Sequence, residues 1–128
     1  MKLIECANAY MATLTLEHQE MDSKTAYALV RLKRKLRDDA DFFLMEEKNL
    51  VEKYADRDEN GEIIMETPAR VRIQDPEREK EYERARKELC EIEVQEELTP
   101  WHAPMPRSIQ PVQLEALEGF IVFEEEPQ

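Results

Sequence analysis

The length, 128 residues, is that of one compact domain. With 41% hydrophobic and 38% charged residues but only two glycines, the chain suits long, surface-rich helices better than a turn-rich sheet sandwich. The net charge of −12 argues against binding to nucleic-acid phosphates; it leaves open basic partners, or imitation of DNA by an acidic surface.

In chain order, Leu3, Ala7, Tyr10 or Met11, and Leu14 recur at helical spacing and predict a short amphipathic helix over about 3–16. A strand over Thr13-Leu14-Thr15-Leu16 is the competing assignment. After the polar break His18-Gln19-Glu20, Asp22 or Ser23 is placed to cap a second helix over about 23–55. No glycine or proline interrupts it. Leu29, Leu32, Leu36, Ala40, Phe43, Leu50 and Tyr54 fall in steps of three or four, broken once near Glu47. Such a stripe is what a coiled-coil seam requires. At 1.5 Å per residue the helix is roughly 45–50 Å long, so it needs another long helix beside it.

Asp56 to Gly61 ends that helix, with Asn60-Gly61 expected as a type I′ turn in which both residues take positive φ. Residues 62–66 and 70–74 flank Thr67-Pro68-Ala69 and predict a small β-hairpin or irregular excursion. Asp75-Pro76-Glu77 opens a third helix over about 76–90: Asp caps, Pro needs no N–H at the first position, and Glu suits the positive end of the helix dipole. Tyr82, Ala85 and Leu89 share one face, with Ile92 next in the series. Residues 91–97 alternate polar and apolar, so helix and strand both remain open there. Prolines 100, 104 and 106 predict an irregular loop over 99–108. Pro111 opens a short C-terminal helix over about 111–118 carrying Val112, Leu114 and Leu117, with Phe120 next, and the tail 124–128 is expected to fray.

Catalytic apparatus is hard to find. Two glycines cannot build a phosphate loop, and His18 and His102 stand in no ligand spacing with each other or with the cysteines. No cofactor or metal is expected. Asp56, Asp58 and Asn60 imitate the opening of a calcium loop, but the twelfth position, where a bidentate Glu is needed, is Thr67. A polar turn is the better reading. Cys6 and Cys90 sit beside Glu5 and Glu91, which works against reactive thiolates, so both are expected as free thiols packed as small hydrophobes. Arg31, Lys33, Arg34, Lys35 and Arg37 form the one basic island, and pairing with Glu77, Glu79, Glu81, Glu83 and Glu88 of the third helix is expected ahead of a nucleic-acid patch. Trp101 and Met105 amid prolines form an apolar projection suited to a partner's pocket, although Trp101 folding back over the helices is the stronger expectation.

The run Lys24-Thr25-Ala26-Tyr27-Ala28-Leu29, then Leu36, Phe42 or Phe43, Glu52-Lys53-Tyr54, Asp58-Glu59-Asn60-Gly61 and Leu114-Glu115-Ala116-Leu117-Glu118 resembles a group of small bacteriophage and prophage proteins known only as a domain of unknown function. The resemblance covers most of the chain and departs in the Trp101 loop, which looks like an insertion. It implies a phage origin, and a layout similar to the helical hairpin with small strands of prefoldin subunits.

The expectation is a single domain over 1–128, mainly α (α+β): an antiparallel, coiled-coil-like hairpin of long helices, about 23–54 against 76–90, with a small β-hairpin and a short C-terminal helix. Apolar stripe left uncovered by the shorter helix must meet the first helix, the C-terminal helix or a second copy. The function expected is a non-catalytic protein–protein interaction protein of a phage, acting in virion assembly or against a host system. An acidic DNA-mimic decoy and a prefoldin-like chaperone are the alternatives. The candidate partner-binding residues are Trp101, Met105, Leu50 and Tyr54. The partner is a phage or host protein, homo-oligomers are compatible with the thin core, and nucleic acid is disfavoured. No run of about 18 apolar residues offers a membrane span. Met1-Lys2-Leu3-Ile4-Glu5 lacks a signal peptide's apolar region, which places the protein in the host bacterial cytoplasm.

Overall fold

The computed structural model describes residues 1–95 and 98–124. Helices α1 (Leu3–Leu16) and α2 (Ser23–Tyr54) come first, then strands β1 (Met65–Thr67) and β2 (Arg70–Val71), helix α3 (Pro76–Cys90), strand β3 (Trp101–Pro104), helix α4 (Pro111–Leu117) and strand β4 (Ile121–Glu124). The fold is mixed helix and strand, with helices dominant. Glu96, Glu97 and residues 125–128 lie outside the described residues, and with them part of the alternating segment and nearly all of the expected tail.

Local chemistry sets the helix boundaries. Asp22 Oδ1 accepts from the Lys24 N–H at 2.8 Å, and Asp75 Oδ1 from Glu77 at 3.0 Å, satisfying donors that have no partner within the first turn. Glu5 reaches back to the Lys2 N–H at 3.1 Å, and Gln113 to that of Gln110 at 2.8 Å, doing the same for α1 and α4. The α4-to-β4 reversal runs through Gly119 at φ 86°, a conformation that costs a residue with a Cβ.

Helix α1 is buried more broadly than its large apolar residues forecast. Leu3, Cys6, Ala7, Ala9, Ala12, Thr13 and Leu16 are buried, whereas Met11 is exposed and Leu14 only half-buried. Small side chains let neighbours approach α1 closely on several sides, so its core surface is written largely in alanine. Cys6, Ala9, Ala12 and Leu16 join Ala28, Leu29, Leu32 and Leu36 of α2, together with Ala103, Leu117, Phe120 and Ile121. A second cluster joins Leu3 and Ala7 of α1 with Phe43 of α2 and Leu89 of α3.

Most of the α2 stripe therefore packs against α1, and α3 meets only its later part. Leu89 lies with Phe43, Arg86 pairs with Glu47 at 3.1 Å, Tyr82 meets Tyr54, and Arg78 donates to the Lys53 carbonyl at 2.7 Å. This corrects the expected charge pairing. The α3 glutamates lie alongside the later turns of α2, beyond the basic island, and Lys33 pairs instead with Glu17 at 2.7 Å. Between α2 and α3 the cation comes from α3 and the anion from α2.

Residues 56–74 form the expected hairpin excursion, with Met65 opposite Val71 and Arg57 bridged to Ile63. The type I′ assignment fails, because Gly61 has positive φ (79°) and Asn60 does not. The Gly61 N–H closes onto the Asp58 carbonyl at 3.0 Å, so glycine stands at the fourth position of the turn. Described residues 91–95 contain no strand. A single bridge joins Glu93 to Lys2, flanked by Leu3 N–H to Ile92 O and Val94 N–H to Met1 O, both at 2.8 Å.

The largest correction is at 99–108. Trp101–Pro104 is a strand, paired in parallel with β4 so that Trp101 faces Ile121 and Pro104 faces Glu124. Trp101 donates to the Phe120 carbonyl at 3.0 Å and Met105 to that of Glu124 at 3.2 Å. Pro100, Pro104 and Pro106 occupy the intervening positions, whose N–H would point away from β4, so their missing donors cost the ladder nothing. The opposite edge meets α2, where Thr25 Oγ1 donates to the Pro104 carbonyl at 2.6 Å. Short helix α4 forms the crossover, tied to α1 by Gln113 Nε2 donating to Thr15 Oγ1 at 2.9 Å.

Candidate functional site

The four residues expected to bind a partner are placed in two separate regions. Trp101 is half-buried on β3 against the main core, so it folds back onto the helices. With Arg31, Lys35 and Pro100 it borders a shallow depression of ≈ 380 Å³, a neighbourhood of aromatic and basic residues that linear spacing did not foretell. Met105, just beyond β3, is 48% exposed. Leu50 is half-buried against the second cluster. Tyr54 is buried: its ring meets Tyr82 edge-on at 6.0 Å, with the Arg78 guanidinium 5.7 Å and the Lys53 ammonium 5.2 Å from its centre. Tyr54 thus fastens the end of α2 to α3 and presents little surface.

A groove of ≈ 700 Å³ lies between the end of α2, the β1–β2 hairpin and α3. Its cations are committed. Arg70 pairs with Glu79 at 2.8 Å and Glu66 at 3.6 Å, Arg72 with Asp56 at 3.2 Å, and Arg86 with Glu47 at 3.1 Å. The calcium-like carboxylates are committed too. Asp58 Oδ1 accepts from Asn60 and Glu62 N–H groups at 2.8 and 3.0 Å, and Asp56 Oδ2 from Arg72 and from the Gln74 N–H. They hold the excursion together. Among the described residues, no group of three or more His, Cys, Asp or Glu side chains is placed to hold a metal ion.

Cys6 is fully buried and its thiol is pushed up to about 11, first by burial and then by the nearby Asp39 carboxylate. A thiol so raised is a core hydrophobe and a poor nucleophile. Cys90 is half-buried, and both are free.

The face of α2 turned away from the core is different in kind. Tyr27 is 64% exposed and Met45 62%, with Val30, Phe42 and Leu44 exposed on the two flanks of that face. Five of the eleven exposed large apolar side chains among the described residues thus stand on this one helix. Between them lie exposed Arg31, Arg34, Arg37, Asp38 and Asp41. None of these five has a hydrogen-bond or ion-pair partner among the described residues, in contrast to Lys33, which holds Glu17. Sequence reasoning missed this surface because its apolar residues fall off the core stripe and are interleaved with charge. The only signal was the presence of Tyr27, Phe42 and Met45 at positions where a purely solvated helix face carries polar residues.

Comparison with protein-family models, with curated proteins and with solved structures gives no match. No helix among the described residues is long and apolar enough to cross a membrane.

Proposed function

We propose that this protein is a non-catalytic interaction module whose partner-binding surface is the outer face of α2. The observation that carries the reading is the set of exposed apolar side chains on α2, Tyr27, Val30, Phe42, Leu44 and Met45, interleaved with charges that find no partner among the described residues. Apolar anchors supply affinity and unpaired charges supply specificity and orientation.

In this reading α2 is the shared arm of two antiparallel helical pairings. Toward α1 the contacts run from Glu17 with Lys33 to Leu3 with Phe43; toward α3 they run from Phe43 with Leu89 to Lys53 with Arg78. Both pairings brace the inner stripe and leave the outer face as a rigid rod. Phage origin, and with it a place in the host bacterial cytoplasm and a role in virion assembly or against a host system, rests on the sequence resemblance at residues 24–29, 52–61 and 114–118. A prefoldin-like chaperone fits less well, because its client-holding residues belong at the helix tips, whereas Tyr54 at the α2 tip is buried.

The test is recovery of the native complex from the source cell by tagged wild-type protein and by variants. Phe42→Glu with Met45→Glu is expected to lose the complex at unchanged helical content, and Met105→Glu to keep it. A complex lost only with Met105→Glu would move the binding surface to the end of β3.

A further inference from the structure

We propose that the outer face of α2 is occupied by a second copy of this chain, the two helices lying antiparallel with Tyr27 against Met45, Arg31 against Asp41 and Arg34 against Asp38 of the second copy, and reciprocally. The proposal rests on the reading of this face as an interaction surface and names its occupant. Tyr27, Arg31, Arg34, Asp38, Asp41 and Met45 follow one another in alternating steps of four and three, the spacing of a coiled-coil seam. All six are exposed, on the side of α2 opposite the stripe that α1 and α3 cover. This is a second seam on the same helix, and among the described residues nothing buries it.

Its charge order selects the occupant and the direction. The seam reads apolar, basic, basic, acidic, acidic, apolar, a pattern complementary to its own reverse. In a parallel pairing Arg31 would meet Arg31 and Asp38 would meet Asp38. Slipping the antiparallel pairing by one heptad sets Arg31 against Arg34, or Asp38 against Asp41. Only the stated antiparallel register gives four opposite-charge layers closed at each end by Tyr27 and Met45. Val30 of one copy then lies toward Leu44 of the other, at the flank of the seam. The seam is about 27 Å long at 1.5 Å per residue, which places the interface at the small end of specific contacts, with a dissociation constant on the order of micromolar.

The register is testable by charge reversal on the full chain, read by sedimentation equilibrium with helical content checked by circular dichroism. Wild type is expected to dimerise, and Arg34→Asp and Asp38→Arg are each expected to weaken the dimer by at least about tenfold. The double variant carrying both reversals restores every opposite-charge layer and is expected to regain the wild-type constant. In a Cys90→Ser background, Tyr27→Cys with Met45→Cys is expected to form a disulfide-linked dimer on mild oxidation, and Tyr27→Cys alone is not, because in this register the two copies of position 27 are about 27 Å apart. A dimer unaffected by either reversal overturns the proposal, as does a single Tyr27→Cys variant that cross-links as readily as the pair. A wild-type chain that stays monomeric at about 100 µM, far above a micromolar constant, also overturns it. If that monomer still loses its native complex on Phe42→Glu with Met45→Glu, only the second copy is excluded and the interaction surface stands.

Discussion

Thr25 is 1% exposed, and its hydroxyl holds the Pro104 carbonyl, which faces away from β4. Thr25→Val keeps the shape and removes the donor, leaving a partly buried acceptor unpaired. The expected loss is about 1–2 kcal/mol, read as a shift of the urea midpoint at constant slope. At Cys6, a thiol held near 11 is ionised at pH 8 to only about one part in a thousand. A thiol reagent at that pH is therefore expected to label Cys90 first and Cys6 only as fast as the protein opens; equal rates would contradict the burial of α1. Glu17 is exposed, and the hydrogen bond from Lys33 holds its carboxyl below the ordinary 4.5. A lowered folded value means the pair contributes above the unfolded pKa and its contribution is lost as pH falls through the lowered one. In an NMR titration Glu17 is expected to ionise at lower pH in wild type than in Lys33→Met. Cys6 and Glu17 mark two depths of legibility. The burial of the cysteine was readable from the acidic neighbours and missing partner motif, while the Glu17 pairing depended on which helix lay beside α2.

The helices were legible to within a residue because their signals are local: Asp22 and Asp75 as caps, Pro76 and Pro111 at first positions, and no breaker between Ser23 and Tyr54. The partners of α2 were not, because Cys6, Ala7, Ala9 and Ala12 carry the α1 contact without large side chains, and hydrophobic periodicity weighs size. Strand β3 was hidden for a sharper reason. Three prolines in seven residues read as a loop, and only the register with β4, about 20 residues further on, shows that none of them stands where a donor is needed. That register makes an asymmetric prediction. Ala103→Pro places the missing N–H against β4 and is expected to cost more than about 1 kcal/mol, with the emission of the unseated Trp101 shifted to the red. Pro104→Ala, on the other parity, is expected to leave both stability and emission within error of wild type.

At the scale of the whole molecule, a chain of net charge −12 presents one long helix whose core side is braced and whose outer side mixes exposed apolar residues with charges of both signs that have no partner among the described residues. Trp101 is half-buried against the core and Tyr54 is buried against Tyr82 and Arg78, while exposed apolar side chains stand on the reverse of the stripe that drew attention to α2. That surface mixes the two residue classes that a hydrophobic pattern separates, so only the packed structure distinguishes it from an ordinary solvated face. The most direct measurement of its role is photo-cross-linking in the source cell, with a photoreactive phenylalanine analogue at position 42 on the outer face and, separately, at position 50 on the inner one. A discrete adduct from position 42 and none from position 50 is the expected result. Adducts from position 50 alone, or from neither site in a chain shown to be folded, would contradict the assignment of the outer face of α2 as the interaction surface.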